Sequence, residues 1–136
     1  IPNQYGLAGE TPTPIRSALI DKSDPARYAL YFCSREGVAS VEAMEAADPV
    51  ICYLTPSLFT GNPIGFSFAP DDVSIVYEGV TYDRSSTTGD NPLANGGNVA
   101  ATLNGTTATV DFNVYFINRY EATLSGHYSG EVVVVE

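Results

Sequence analysis

Tryptophan is missing from this 136-residue chain, methionine and histidine occur once each, and Lys22 is its one lysine. Six basic residues face sixteen acidic ones, a formal charge of −10. That balance offers no positive surface to a phosphate backbone or an anionic leaflet, so neither nucleic acid nor a membrane surface is an expected partner. No apolar run approaches the ~20 residues that a membrane helix needs, which speaks against membrane insertion. The scarcity of histidine and cysteine leaves too few ligands for a metal centre, and His127 has no companion in sequence that marks a nucleophile and its base. A non-enzymatic protein without cofactor or metal is expected. Asp71-Asp72 and the acidic loops read as solvated rather than as calcium ligands, because the ligand spacing of known calcium loops is absent. Gly96-Gly97 lacks the companions of a phosphate-binding loop.

What is plentiful points to β structure. Glycine (12), proline (9) and tyrosine (9) recur, and short β-branched and aromatic stretches alternate with turn clusters at intervals of about ten residues. The expected fold is an all-β, immunoglobulin-like β-sandwich. One domain is expected, large enough to bury about two thirds of its unfolded surface. Residues 1–14, IPNQYGLAGETPTP, hold three prolines and two glycines and read as an extended N-terminal arm, with the sandwich over residues 15–136.

Within the sandwich, residues 15–20 and 28–33 read as strands around a turn at 21–25. Val38, Val41 and Met44 lie near helical spacing before Asp48-Pro49, which predicts one short helix in 38–47. Residues 50–54 form an apolar strand, Ile64, Phe66 and Phe68 alternate, and 73–77 with 80–82 flank Glu78-Gly79 as a tight hairpin. A polar loop follows over 83–98. Val99, Ala101 and Leu103, then Ala108, Val110, Phe112, Val114 and Phe116, alternate about Asn104-Gly105, a predicted type I′ turn. Asn104-Gly-Thr106 also fits a glycosylation acceptor, although the hairpin accounts for the Asn-Gly pair without sugar. Tyr77, Tyr82, Tyr115 and Tyr120 are candidates for an outward sugar-stacking face, and ordinary strand preference is the alternative account of them.

Cys33 and Cys52 sit near the ends of two apolar segments, 28–33 and 49–54. A disulfide between them would close a loop of about 20 residues and contribute ~3 kcal/mol. Two buried free thiols are the other possibility.

The chain closes on Gly126-His-Tyr128-Ser-Gly-Glu-Val-Val-Val-Val-Glu136. Four valines in a row do not alternate, so either both faces of that strand are covered or its edge receives a strand from elsewhere. The Gly126-x-Tyr128 turn running into Val132-x-Val134, with the preceding alternation over 108–117, resembles the closing signature of chaperone-usher pilins and of the spore-coat-U-like subunits. The resemblance covers about 30 residues, and its implications are specific. The sandwich is incomplete and is completed by a strand donated from another copy, in the manner of strand addition. Ile1, Tyr5 and Leu7, which share one face of an extended arm, are the expected donor residues. Phe112, Val114, Phe116, Val132 and Val134 are the expected acceptor groove. The partners implied are other copies of the chain and an assembly chaperone. The expected role is a secreted structural subunit of a surface filament, pilus or coat, and the start at Ile1 is compatible with removal of a leader. The alternative is a monomeric secreted module that binds carbohydrate or calcium.

Overall fold

The computed structural model describes residues 1–65, 72–83, 94–116 and 123–136, without the side chains of residues 94–96 and 116. Phe66, Phe68, Asp71, Tyr120, the side chain of Phe116 and most of the expected polar loop lie outside the described residues.

Two six-stranded sheets pack face to face as an all-β sandwich. Sheet A runs β2 (Thr13–Pro14), β1 (Gln4–Leu7), β11 (Thr123–Glu131), β10 (Thr107–Phe116), β9 (Ala94–Asn104), β6 (Ile64–Gly65). Sheet B runs β12 (Val133–Val135), β3 (Ser17–Asp21), β4 (Tyr28–Cys33), β5 (Val50–Leu54), β7 (Val73–Tyr77), β8 (Val80–Tyr82). Among the described residues all pairings are antiparallel except β12 on β3.

The difference in sequence pattern between the sheets follows from what covers them. In β10, Ala108, Val110, Phe112 and Val114 point inward and are buried, while Thr107, Asp111 and Tyr115 are exposed, so the strand alternates. In β4, five of six residues are buried in succession. Its even-numbered residues Leu30 and Phe32 enter the main core between the sheets, with Cys52, Ile75, Val110 and Phe112. Its odd-numbered residues Tyr31 and Cys33 join a second cluster on the outer face of sheet B, with Leu19, Ile51 and Met44.

Helix α1 (Val41–Glu45) roofs that second cluster. Ser40 caps it, accepting a hydrogen bond from the Ala43 amide at 3.1 Å. Asp48, at φ 50°, and Pro49 end the turn. A helix this short is not stable alone, and burial of Met44 against sheet B holds it.

The disulfide expectation is corrected here. Cys33 and Cys52 are both free and fully buried, Cys33 in the cluster beneath α1 and Cys52 in the main core. On β4 and β5, Leu30 stands opposite Cys52, which places Cys33 on the other face of the sheet. A bridge would have to pass through the sheet itself, because side chains of opposite parity never meet in a strand pair.

Two further expectations shift. Thr107 pairs with Asn104, so the tight turn of the long hairpin is Gly105-Thr106, one residue later than predicted. Gly105 carries the positive φ, 64°, at the first central position, the arrangement of a II′ rather than an I′ turn. Tyr82 does not face outward but is fully buried in the main core.

The terminal valines divide between environments. At Val132 the chain leaves sheet A, its amide held by the Thr106 carbonyl at 2.8 Å, and crosses to sheet B as edge strand β12. Val132 and Val134 face the main core, Val135 packs on the cluster beneath α1, and Val133 is 37% exposed. Core contacts on opposite faces account for Val132, Val134 and Val135, three of the four valines.

Candidate functional site

The arm expected to serve as donor is part of sheet A. Residues Gln4–Leu7 lie antiparallel along β11, with Gln4 opposite His127, Tyr5 opposite Gly126, Gly6 opposite Ser125 and Leu7 opposite Leu124. Tyr5 and Leu7 pack against the main core, and Ile1 is 96% exposed. The neighbour of the arm is therefore β11. Of the expected groove residues, Phe112 and Val114 lie one strand further in, on β10, and Val132 and Val134 lie beyond β11 and on sheet B. All four line the main core, but they do not form one groove beside the arm.

Gly126 explains how an aromatic side chain fits there. Tyr5, Gly126 and Phe112 stand in one row across three strands. A Cβ at Gly126 would fall 2.1 Å from Cζ of Phe112, so the Phe112 ring occupies the space above the glycine. A larger residue at that position would displace the ring. The hydroxyl end of Tyr5 borders a polar recess of ≈ 180 Å³ shared with Thr13, Asp48, Tyr77 and Glu78. Burial, and then the negative charge of Asp48, raise its pKa above the usual tyrosine value.

Asn3 continues the ladder with its side chain. Its Nδ2 donates to the Ser129 carbonyl at 3.2 Å, and the Ser129 amide donates to its Oδ1 at 2.9 Å. The amide group thus takes the place of one peptide unit. At the other end the Ala8 amide donates to the Thr123 carbonyl at 2.8 Å, which closes the contact between arm and β11. Nothing in the sequence marks Asn3 for this role, since a place in the ladder depends on the partner strand.

The hinge is compact. Residues 8–12 turn the chain back so that β2 pairs with the outer side of β1, Tyr5 opposite Thr13, and the Ile15 amide donates to the Asn3 carbonyl at 2.9 Å. A Cβ at Gly6 would approach Pro12 Cα to 3.1 Å, and Gly9 sits at φ 85°. A cleft of ≈ 380 Å³ opens over the arm, bordered by Gln4, Glu10, Pro12, Ser125 and His127.

His127 lies on the outer face, its Nδ1 2.6 Å from Oδ1 of Asp111 directly across on β10. With Nδ1–H donated to the carboxylate, the ring presents Nε2 on its other side. No nucleophile hydrogen-bonds to His127 among the described residues. The Gly126-x-Tyr128 pair has a structural account as well. The Tyr128 hydroxyl donates to the Glu131 carbonyl, and its ring centroid lies 5.6 Å from that of Phe32. The Glu131 carboxylate accepts from Thr106 at 2.6 Å and Thr107 at 3.0 Å, and these bonds hold its pKa below the ordinary glutamate value. Together they fix the corner at which the chain changes sheets.

Comparison with family models, with curated proteins and with solved structures gives no match.

Proposed function

We propose that this chain is a non-enzymatic structural subunit of a secreted filament or coat, joined to its neighbours by exchange of the N-terminal arm. The observation that carries the reading is the seat of β1. A four-residue strand, half-buried along its whole length, extends sheet A beyond the chain's last long strand, with the two-residue β2 outside it. That is the position a donated strand would fill. The arm is held by two apolar side chains, the Asn3 clamp, a short ladder to β11 and the two-residue pairing with β2, and full burial of such a side chain contributes only about 1.5–3 kcal/mol. An element so attached leaves its seat far more readily than a core strand. The same arm from a second copy makes identical contacts, so exchange costs little beyond opening the hinge. An assembly chaperone is the second partner of this reading.

The closed seat is also the observation that favours a second reading, a monomeric secreted module binding carbohydrate or calcium. One experiment separates them. Concentrated full-length protein is expected to give higher-order species on a sizing column and by electron microscopy, and removal of residues 1–9 to abolish them. A 14.5 kDa monomer at every concentration favours the module. Polymers that survive removal of the arm overturn its role.

A further inference from the structure

We infer that the outer edge of β11 is a recognition strip for the pattern Asn-x-Tyr-x-Leu, kept capped by the chain's own arm, so that the arm of a second copy enters only after the resident arm lifts. The inference rests on the strand-exchange reading and adds what the strip selects and how access to it is controlled.

Three places on the strip select. At Ser129 the backbone amide and carbonyl both engage one side-chain amide, which requires a group that donates and accepts at once, as Asn3 does. At Gly126 the absent side chain lets the Phe112 ring lie over the strand, and the residue that registers opposite, Tyr5 in the resident arm, packs against the same core. The polar recess around Asp48 and Glu78 favours a ring with a hydroxyl end, tyrosine over phenylalanine. At Leu124, fully buried, the partner is the aliphatic Leu7. The outward residues Gln4 and Gly6 between these positions carry no selection from the core.

Control follows from the occupied seat. Every ladder position of β11 from Leu124 to His127 is paired with the chain's own β1, so no free edge remains there for an incoming strand. Resident and incoming arms are chemically the same, so neither displaces the other by stronger contacts. The rate of entry is then the rate at which the resident arm opens. The cap also shields an apolar edge that would otherwise aggregate.

The test uses the full chain and a fluorescent synthetic peptide of residues 1–14, followed by stopped-flow anisotropy. The observed rate is expected to rise with peptide concentration and then level off at the arm-opening rate. In the full chain, Asn3→Ala removes the clamp and should raise that plateau about tenfold, from two lost hydrogen bonds. Gln4→Ala should leave it unchanged. A peptide carrying Tyr5→Ala should bind at least tenfold more weakly. A rate that climbs linearly without a plateau, or a plateau that Asn3→Ala leaves unmoved, overturns the cap while leaving strand exchange standing. Failure of the native peptide to bind either the native chain or the Asn3→Ala chain overturns strand exchange itself.

Discussion

Sheet B is buried on both faces, by the main core and by the cluster beneath α1, whereas sheet A is buried on one. The outer face of sheet A carries Thr102, Thr109, Asp111, Asn113, Ser125, His127 and Ser129, whose side chains largely bond one another. Thr109 meets Ser129 at 3.1 Å and Asn113 meets Asn98 at 3.1 Å. The sheet held from both sides contains the continuous apolar strands, and the sheet held from one side carries the N-terminal arm. The proposed exchange would therefore engage sheet A and leave the doubly covered layer out of it. Losing β1 would uncover one edge of sheet A and the part of the main core on which Tyr5 and Leu7 pack, whereas the second cluster contains no residue of the arm.

The contrast is most severely tested by placing a charge on each outer face. Leu19 is fully buried in the outer cluster of sheet B, and Leu19→Asp would seal in an uncompensated carboxylate. The cost should exceed about 4 kcal/mol, close to the whole stability of a small domain. Thr102, exposed on the outer face of sheet A, should accept Thr102→Asp within about 0.5 kcal/mol. Urea titrations followed by circular dichroism measure both. Comparable losses at the two positions would erase the distinction between the sheets.

That distinction was partly visible in the residues. The alternation over 99–116 announces a one-faced hairpin, and the unbroken runs at 28–33 and 50–54 announce strands covered twice. The helix between them could be placed by its spacing and by Asp48-Pro49. What could not be read was parity between partners. Whether Cys33 and Cys52 meet depends on the register of β4 against β5, and a shift of one residue reverses the answer. The same limit hid the partner of the arm. Tyr5 and Leu7 show a shared face, but nothing local states that the face meets β11 or that Asn3 finishes the ladder. The sheet change at Val132 was hidden too, because three of the four valines serve two cores and the division between them is set by tertiary contacts alone.

A smaller effect probes the joint between arm and sheet. Gly126→Ala forces a methyl group into the space held by the Phe112 ring, itself 2% exposed and packed 6.2 Å from Phe32 between ring centroids. The ring cannot swing aside without disturbing the core, so overpacking should cost about 1–3 kcal/mol. Adding Phe112→Leu should recover part of that loss, giving a favourable coupling in a double-mutant cycle. Additive losses would mean that glycine is required there for another reason.

The smallest effect concerns alkaline stability and distinguishes the outer cluster of sheet B by chemistry rather than packing. Tyr31 lies in that cluster, and its hydroxyl pKa is raised to about 12 from the ordinary 10, first by burial and then by the negative potential of Tyr53, Glu45 and Asp21. A raised value means that the folded state prefers the neutral hydroxyl. Its contribution is therefore complete below pH 10 and is lost as the pH climbs toward about 12. Tyr5 and Tyr128 are shifted in the same direction, so stability should fall across this window in the native protein. Burial raises the Cys52 thiol too, so Tyr31→Phe removes one contribution among several, and its melting temperature should decline less steeply with pH while matching the native value near neutrality. A decline of unchanged slope would show that the Tyr31 hydroxyl is solvated in the folded chain, and the cover that α1 provides over sheet B would then be looser than its packing implies.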